Sequence, residues 1–245
     1  MPHSLKKVIP IVLLLIMTGG QESRSDPAQV IADASPTDTM TFSSDTKRKG
    51  CELLSADIVS ATFDIPVDAL RQRKMMGCRY SWENESETLE AGISLIQVHK
   101  SEEAAIAWFN KAAASRTAEQ MQADMETAAK RVDTQANLNT ELKKATAKKL
   151  LALVGSKAVT FTDVAGIGDA ARVNDEGIVY VRVGNLTFLV TAYKGAKAPP
   201  LDFTGVDYNK MAAAAQEHAV QWAQETAPQR RKDSVLLARA ITDAM

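Results

Sequence analysis

Two apolar segments joined by a Gly-Asn pair stand out in the second half of the chain. Residues 178–183 and 186–193 consist mainly of β-branched and aromatic residues, and Gly184-Asn185 lies between them. A two-residue turn of this type between such segments indicates a β-hairpin. Nearly continuous apolar character is typical of strands in the middle of a sheet. The sequence therefore predicts an α+β fold in which an antiparallel sheet has helices packed on one face.

Further strands are expected on both sides of this hairpin. Residues 158–164 and 170–173 precede it, with a turn at residues 174–177. Nearer the N-terminus, residues 76–82 alternate in a pattern that predicts one more strand. One face of this strand would carry Cys78, Tyr80 and Trp82.

The next strand in the chain is predicted from a second alternating pattern. Ile93, Leu95 and Gln97 would share one face, and Ser94, Ile96 and Val98 would share the other.

Helix signals separate these strands. Ser55 and Ser101 are good N-caps, and Thr117 with Gln120 forms a capping-box pattern. Residues from about 206 to 225 predict a long helix, which Pro228 would separate from a final amphipathic helix.

The middle of the chain resembles an insertion. Residues from about 112 to 157 are rich in alanine, glutamine and lysine, and a Lys-rich helix is expected to end near residue 153. One predicted helix carries an apolar stripe of Met121, Met125, Ala128 and Val132.

The N-terminus has the order of a secretory signal peptide. Lys6 and Lys7 precede an apolar run over residues 8–17, and small residues follow it up to Gly20. The run is too short to span the roughly 30 Å hydrocarbon core of a membrane. We expect residues 1–20 to be a signal peptide, residues 21–48 a disordered linker and residues 49–245 a single α+β domain with the insertion.

Charge and hydropathy narrow the possible partners. The net charge of the whole chain is -1, and losing Lys6 and Lys7 makes it more negative, which argues against a nucleic-acid partner. After residue 17 no apolar run is long enough to cross a membrane. We therefore expect an extracytoplasmic protein, periplasmic or secreted, with no stable membrane insertion after the signal is removed.

Cys51 and Cys78 are the two cysteines of the chain. An isolated pair in an oxidising compartment predicts a disulfide. The alternative, a metal or redox pair, is disfavoured because there is no Cys-x-x-Cys motif and few histidines.

No catalytic, cofactor-binding or metal-binding residue can be assigned, and no cofactor is expected. Gly166 and Gly168 lack the third glycine of a dinucleotide-binding loop, and a strand rather than a helix follows them. Gly166, Gly168 and Asp169 are therefore interpreted as a structural turn. His99 and His218 have no recognisable catalytic partner at a known spacing.

An ordered set of motifs resembles a known family. The motifs are Cys-Glu-Leu-Leu-Ser at 51–55, Gly-Cys-Arg-Tyr-Ser-Trp at 77–82 and Val-Ala-Gly-Ile-Gly-Asp-Ala-Ala at 164–171. They resemble small exported bacterial lipoproteins, abundant in actinobacteria, that are grouped as a domain of unknown function. The resemblance implies an envelope protein with an α+β fold, a disulfide joining the two cysteines and no established catalysis.

The chain departs from that family in three ways. Gly20 stands where lipoproteins have the cysteine that receives lipid, and the insertion and the tail after residue 226 are additional.

These observations lead to one functional expectation and two alternatives. We expect a non-enzymatic binding or accessory module of the bacterial cell envelope, whose partner is an unknown envelope protein or small ligand. One alternative is an interaction or assembly protein that uses the inserted helices. The other is an unrecognised envelope hydrolase that uses His99 or His218.

Overall fold

The computed structural model describes residues 40–74, 77–134, 144, 157–200 and 208–245. The described residues divide into two compact units, one within residues 115–159 and the other within residues 40–114 and 160–245. The expected signal peptide at 1–20, residues 21–39 of the expected linker and most of the Lys-rich helix lie outside the described residues.

The second unit is built on a seven-stranded antiparallel sheet, which confirms the α+β class. In chain order the strands are β1 (Arg71–Arg73), β2 (Gly77–Glu83), β3 (Glu87–Val98), β4 (Phe161–Asp163), β5 (Ala170–Asn174), β6 (Val179–Val183) and β7 (Leu186–Ala196). Their order across the sheet is β1-β2-β3-β7-β6-β5-β4. The predicted hairpin is β6 and β7, and it lies inside the sheet as expected.

Five α-helices are described. They are α1 (Gly50–Leu53), α2 (Ala56–Phe63), α3 (Glu102–Ala112), α4 (Ala118–Thr134) and α5 (Tyr208–Asp243), with short 3₁₀ helices at Ser44–Arg48 and Val67–Ala69. The predicted caps are present: the Ser55 hydroxyl accepts a hydrogen bond from the N–H of Ile58, and the Ser101 hydroxyl accepts one from Ala104.

Both faces of the sheet carry helices. On one side, which we call the core face, Val181 lies opposite Phe188, and both belong to the main core with Val59 of α2 and Leu237 of α5. On the other side, which we call the α3 face, Arg172 lies over the ring of Phe109 in α3. The prediction of helices on one face therefore applies to α2 and α5, whereas α3 packs on the opposite face. This second cover explains why β6 is buried at every position rather than at alternate ones.

A β-bulge changes the predicted alternation in β3. The pairing of β3 with β7 shifts between Ser94 and Gln97, and Leu95 has a φ of 48°. An extra residue in one strand turns the following side chains to the other face. Ile93 and Ile96 consequently both belong to the core, although the sequence pattern predicts that they face opposite sides.

The predicted disulfide is present. Cys51 of α1 and Cys78 of β2 are bonded, with their Cα atoms 4.9 Å apart. The bond fixes the first helix of the unit to the second strand, and Cys78 is fully buried in the core.

The described structure begins before Cys51, inside the segment expected to be a linker. The N–H of Phe42 donates to Oδ1 of Asn185 at 2.8 Å, and Nδ2 of Asn185 donates to the Phe42 carbonyl at 3.1 Å. The backbone of Met40 also lies so close to Gly184 that a Cβ there would meet the Met40 carbonyl. The β6–β7 turn thus contacts the backbone at Met40 and Phe42. The scarcity of large apolar residues in this segment gave no sign of these contacts.

The C-terminal region is a single helix rather than two. Pro228 lies inside α5, which continues to Asp243. Proline removes one helical hydrogen bond. Two side chains that follow Pro228 in α5 nevertheless bind the backbone of β7, which holds this part of the helix in place. The Ser234 hydroxyl accepts from the N–H of Ala192 at 2.7 Å, and Oδ2 of Asp233 accepts from the N–H of Lys194 at 2.7 Å.

These two bonds close an open stretch of β7. The last β6 partner of β7 is Val190, so residues 191–196 extend beyond β6 on that side. Asp233 and Ser234 are both buried and supply side-chain oxygens to this stretch. The helix therefore takes the place of a neighbouring strand.

The described part of the first unit centres on α4. The capping box forms as predicted: Thr117 N–H donates to Oε1 of Gln120, and Gln120 N–H donates to Oγ1 of Thr117. In the predicted apolar stripe, Ala128 and Val132 are buried. An isolated bridge pairs Arg116 with Val159 at the two ends of the 115–159 segment.

Candidate functional site

The turn at Gly166, Gly168 and Asp169 organises one corner of the sheet. Gly166 and Gly168 have φ values of 72° and 51°, in the region that favours glycine. Oδ2 of Asp169 accepts a hydrogen bond from the N–H of Gly184 at 2.6 Å. The turn is thereby joined to the β6–β7 hairpin.

An arginine completes the same corner. Nη1 of Arg182 lies 3.2 Å from Oδ2 of Asp169 and 3.0 Å from Oε1 of Glu102. The Arg182 side chain is only 11% exposed, so water screens these pairs less than it screens surface pairs. Since Glu102 lies at the start of α3, the cluster fixes that helix to the sheet, and we interpret it as structural.

The histidine candidates for hydrolysis also have structural surroundings. The His99 ring nitrogen Nε2 lies 2.9 Å from the hydroxyl of buried Thr187, and the ring packs 5.6 Å from that of Trp108. His218 lies half-buried on α5. Both contacts place the His99 ring between β7 and α3.

The surface that differs from these clusters lies at the β1 end of the α3 face. The register places Arg73 of β1 directly opposite Arg79 of β2, and Arg71 lies two residues along β1 on the same face. All three side chains are exposed. Within the part of the chain that the structure describes, none of them forms an ion pair, whereas Arg116, Arg172 and Arg182 each bind a carboxylate. We call Arg71, Arg73 and Arg79 the arginine face.

A glycine in the next strand shapes this face. Gly92 of β3 lies opposite Arg79, and a Cβ at Gly92 would be 3.0 Å from Cγ of Arg79. The aliphatic part of Arg79 therefore lies across Gly92, towards β3 and away from β1. Because Gly92 has no side chain, the Arg79 side chain can lie flat against the sheet at this position.

The edge strand itself is held from its other face. Nε2 of Gln72 donates to the Tyr80 hydroxyl at 2.7 Å and lies 3.7 Å from Sγ of Cys78. Burial raises the pKa of Tyr80, so the phenol keeps its proton. The same strand that presents Arg71 and Arg73 outward is thus anchored beside the disulfide.

Sequence reasoning missed the arginine face. The Arg71-Gln72-Arg73 alternation between Pro66 and Gly77 is a three-residue strand signal, shorter than the runs from which strands are predicted. Its significance depends on Arg79 lying opposite Arg73, which the sequence does not show. The structure brings these arginines together at the β1 end of the sheet, whereas the Gly166 turn joins β4 and β5 at the opposite end.

Among the residues that the structure describes, no group of three or more His, Cys, Asp or Glu side chains is placed to hold a metal ion. No helix in the described ranges is long and apolar enough to cross a membrane.

Comparison with known proteins adds no assignment. No family model, no curated protein and no solved structure matches the chain. The resemblance to exported lipoproteins therefore stays a prediction from three short motifs.

Proposed function

We propose that the chain is a non-enzymatic binding module of the bacterial cell envelope, working outside the cytoplasm. The observation that carries this proposal is the arginine face: three exposed arginines on one sheet face, none ion-paired within the described residues. The disulfide supports a location outside the cytoplasm, because such bonds persist in oxidising environments. The signal-like N-terminus and the resemblance to exported lipoproteins support it from the sequence.

The arginine face has a cost that a purely structural role does not explain. Like charges directly opposite each other on neighbouring strands destabilise a sheet by a few tenths to about 1 kcal/mol. Arg73 and Arg79 are such a pair, and the repulsion is reduced because the stem of Arg79 lies over Gly92, away from β1. A partner carrying negative charge would relieve this repulsion when it binds, so the cost in the free protein favours association.

Capture from the envelope tests the proposal. The purified chain with its disulfide intact is immobilised and exposed to an envelope fraction, and bound proteins and small molecules are identified by mass spectrometry. We expect at least one component that the wild type retains and the Arg71→Ser/Arg73→Ser/Arg79→Ser variant loses. The matched control is Arg231→Ser, an exposed arginine on α5. Equal retention by all three proteins would contradict a binding role for the arginine face.

The assembly alternative gains no support from α4. Ala128 and Val132 of its apolar stripe are buried, which leaves that half of the stripe unavailable to a partner. Crosslinked oligomers that disappear when residues 115–155 are deleted would favour this alternative.

The hydrolase alternative has a separate test. Release of product from a panel of chromogenic esters and glycosides, lost in His99→Gln or His218→Gln but kept in the arginine variant, would favour an enzyme instead.

A further inference from the structure

We propose that the outer edge of β1 binds an extended acidic segment of another protein, which continues the sheet as an eighth strand. This inference rests on the proposed binding function and specifies its partner. It uses the edge geometry of β1, the spacing of its two arginines and the orientation of Arg79.

The edge is available for pairing. β1 is the terminal strand of the sheet, and within the described residues its one strand partner is β2. Leu70 is also extended, with φ -77° and ψ 131°, so the edge begins one residue before Arg71. An extended peptide that adds to such an edge gains main-chain hydrogen bonds, and its alternate side chains provide specificity.

The arginine spacing predicts the side chains of the partner. Arg71 and Arg73 lie two residues apart and therefore on the same face of β1. In an added strand, residues directly opposite them are also two apart and project to that same face. Aspartate or glutamate at alternate positions would consequently place one carboxylate beside each guanidinium, a pairing that can be bidentate.

The same charges reject a second copy of this chain. If two β1 edges paired antiparallel around Gln72, Arg71 of one copy would lie opposite Arg73 of the other. Like charges at both positions oppose that arrangement, and charged residues on short edge strands commonly prevent self-association. An acidic strand meets no such repulsion, so the edge selects a partner by charge.

The orientation of Arg79 favours a strand over a small anion. A compact anion would need guanidinium groups that converge on one point. The stem of Arg79 instead lies over Gly92, on the side away from β1. This leaves Arg71 and Arg73 as the two cations along the edge, in the linear arrangement that suits an extended chain.

A charge-swap experiment tests the inference. The probe is a blocked, fluorescently labelled seven-residue peptide in which threonine alternates with glutamate, titrated with the full chain at low ionic strength. Arg71→Glu/Arg73→Glu is expected to weaken binding at least tenfold and to gain binding of the matching threonine–lysine peptide. Arg71→Gln/Arg73→Gln is expected to bind neither peptide. Thermal unfolding of each variant verifies that it is folded.

Two controls separate strand addition from simple charge attraction. N-methylation of alternate peptide residues removes main-chain donors and is expected to weaken binding at least tenfold when it falls on the edge-facing positions. Arg79→Glu, on the same face but one strand inward, is expected to weaken binding less than Arg71→Glu/Arg73→Glu does.

Each contrary result has a distinct meaning. Equal binding of both N-methylated registers, or an Arg79→Glu loss as large as that of the edge variant, would show that the ligand lies on the face and would overturn the inference. Failure of the acidic peptide to bind at millimolar concentration overturns it too, while envelope capture that still depends on the arginines leaves the proposed function standing. If envelope capture also fails to depend on the arginines, both the inference and the proposed function are contradicted.

Discussion

Gly166 and Gly168 share a left-handed backbone but differ in their surroundings. At Gly166 a Cβ would meet no atom within 4 Å, whereas at Gly168 it would lie 2.6 Å from the Arg182 carbonyl oxygen and 2.8 Å from Cγ2 of Val183. The two positions therefore separate the cost of conformation from the cost of collision.

Alanine substitutions should resolve these two costs. Gly166→Ala is expected to lower the unfolding free energy by roughly 1–2 kcal/mol, the cost of a left-handed alanine. Gly168→Ala carries the same cost plus a clash with backbone, and we expect it to lose at least about 1 kcal/mol more. Urea denaturation of the two variants is the measurement, and equal losses would show that the Gly168 site relaxes freely.

Asp233 provides a prediction about pH. Burial raises the pKa of its carboxyl, and the Lys194 N–H opposes that shift only in part. An acid whose folded-state pKa is raised contributes most to stability below its unfolded value of 3.8. This contribution is lost as the pH rises through the folded value.

Asp233→Asn cannot ionise and should remove that dependence. Between pH 4 and pH 7, the unfolding free energy of the wild type is expected to fall relative to that of Asp233→Asn. Urea denaturation of both proteins at several pH values tests this. A difference that stays constant across the range would contradict it.

At the scale of elements, local signals were sufficient for helix starts and insufficient for strand geometry. The caps at Ser55, Ser101 and Thr117 depend on residues within one helical turn, so the sequence contains them completely. The bulge at Leu95 depends on the pairing of β3 with β7, and the continuity of α5 through Pro228 depends on contacts with β7. Neither can be recognised from neighbouring residues.

Removal of one hydroxyl should reveal how strongly α5 is attached. Ser234→Ala leaves the N–H of Ala192 without its bond at a fully buried position, which is expected to lower the unfolding free energy by about 1–3 kcal/mol. Hydrogen exchange at the Ala192 amide should accelerate by the corresponding factor. The comparison is Ser101→Ala, an exposed cap whose loss is expected to cost about 1 kcal/mol and to leave Ala192 protected. Unchanged exchange at Ala192 would show that another group, or water, takes over the bond.

At the scale of the whole molecule, the fold class could be predicted from the pattern of turns and apolar segments in the sequence. The order of the strands in the sheet could not. The Gly184-Asn185 turn and apolar strands identify the central hairpin locally. The placement of β3 beside β7 joins residues that are 88 to 109 positions apart in the chain, and no local signal specifies it. The arginine face has the same origin, since it exists only once β1 and β2 pair.

The disulfide is the strongest long-range constraint that the sequence did predict. It closes a loop between positions separated by 27 residues, for which the chain-entropy model gives roughly 3.5 kcal/mol. Cys51→Ser/Cys78→Ser should lower the unfolding free energy by about that amount. A reductant should lower the melting temperature of the wild type and leave that of the variant unchanged. Alkylation of both cysteines in native, oxidised protein would contradict the bond.

The attachment of α5 to β7 also determines when folding of the domain can be completed during synthesis. A chain is made from its N-terminus, so β7 exists before the helix that covers its open stretch. Until residues 233 and 234 arrive, the amides of Ala192 and Lys194 lack their partners, and an apolar strand offers an uncovered edge to any neighbouring chain. A nascent chain that has not yet reached Asp233 and Ser234 is therefore exposed to aggregation and proteolysis, and synthesis of this part of α5 is what protects β7.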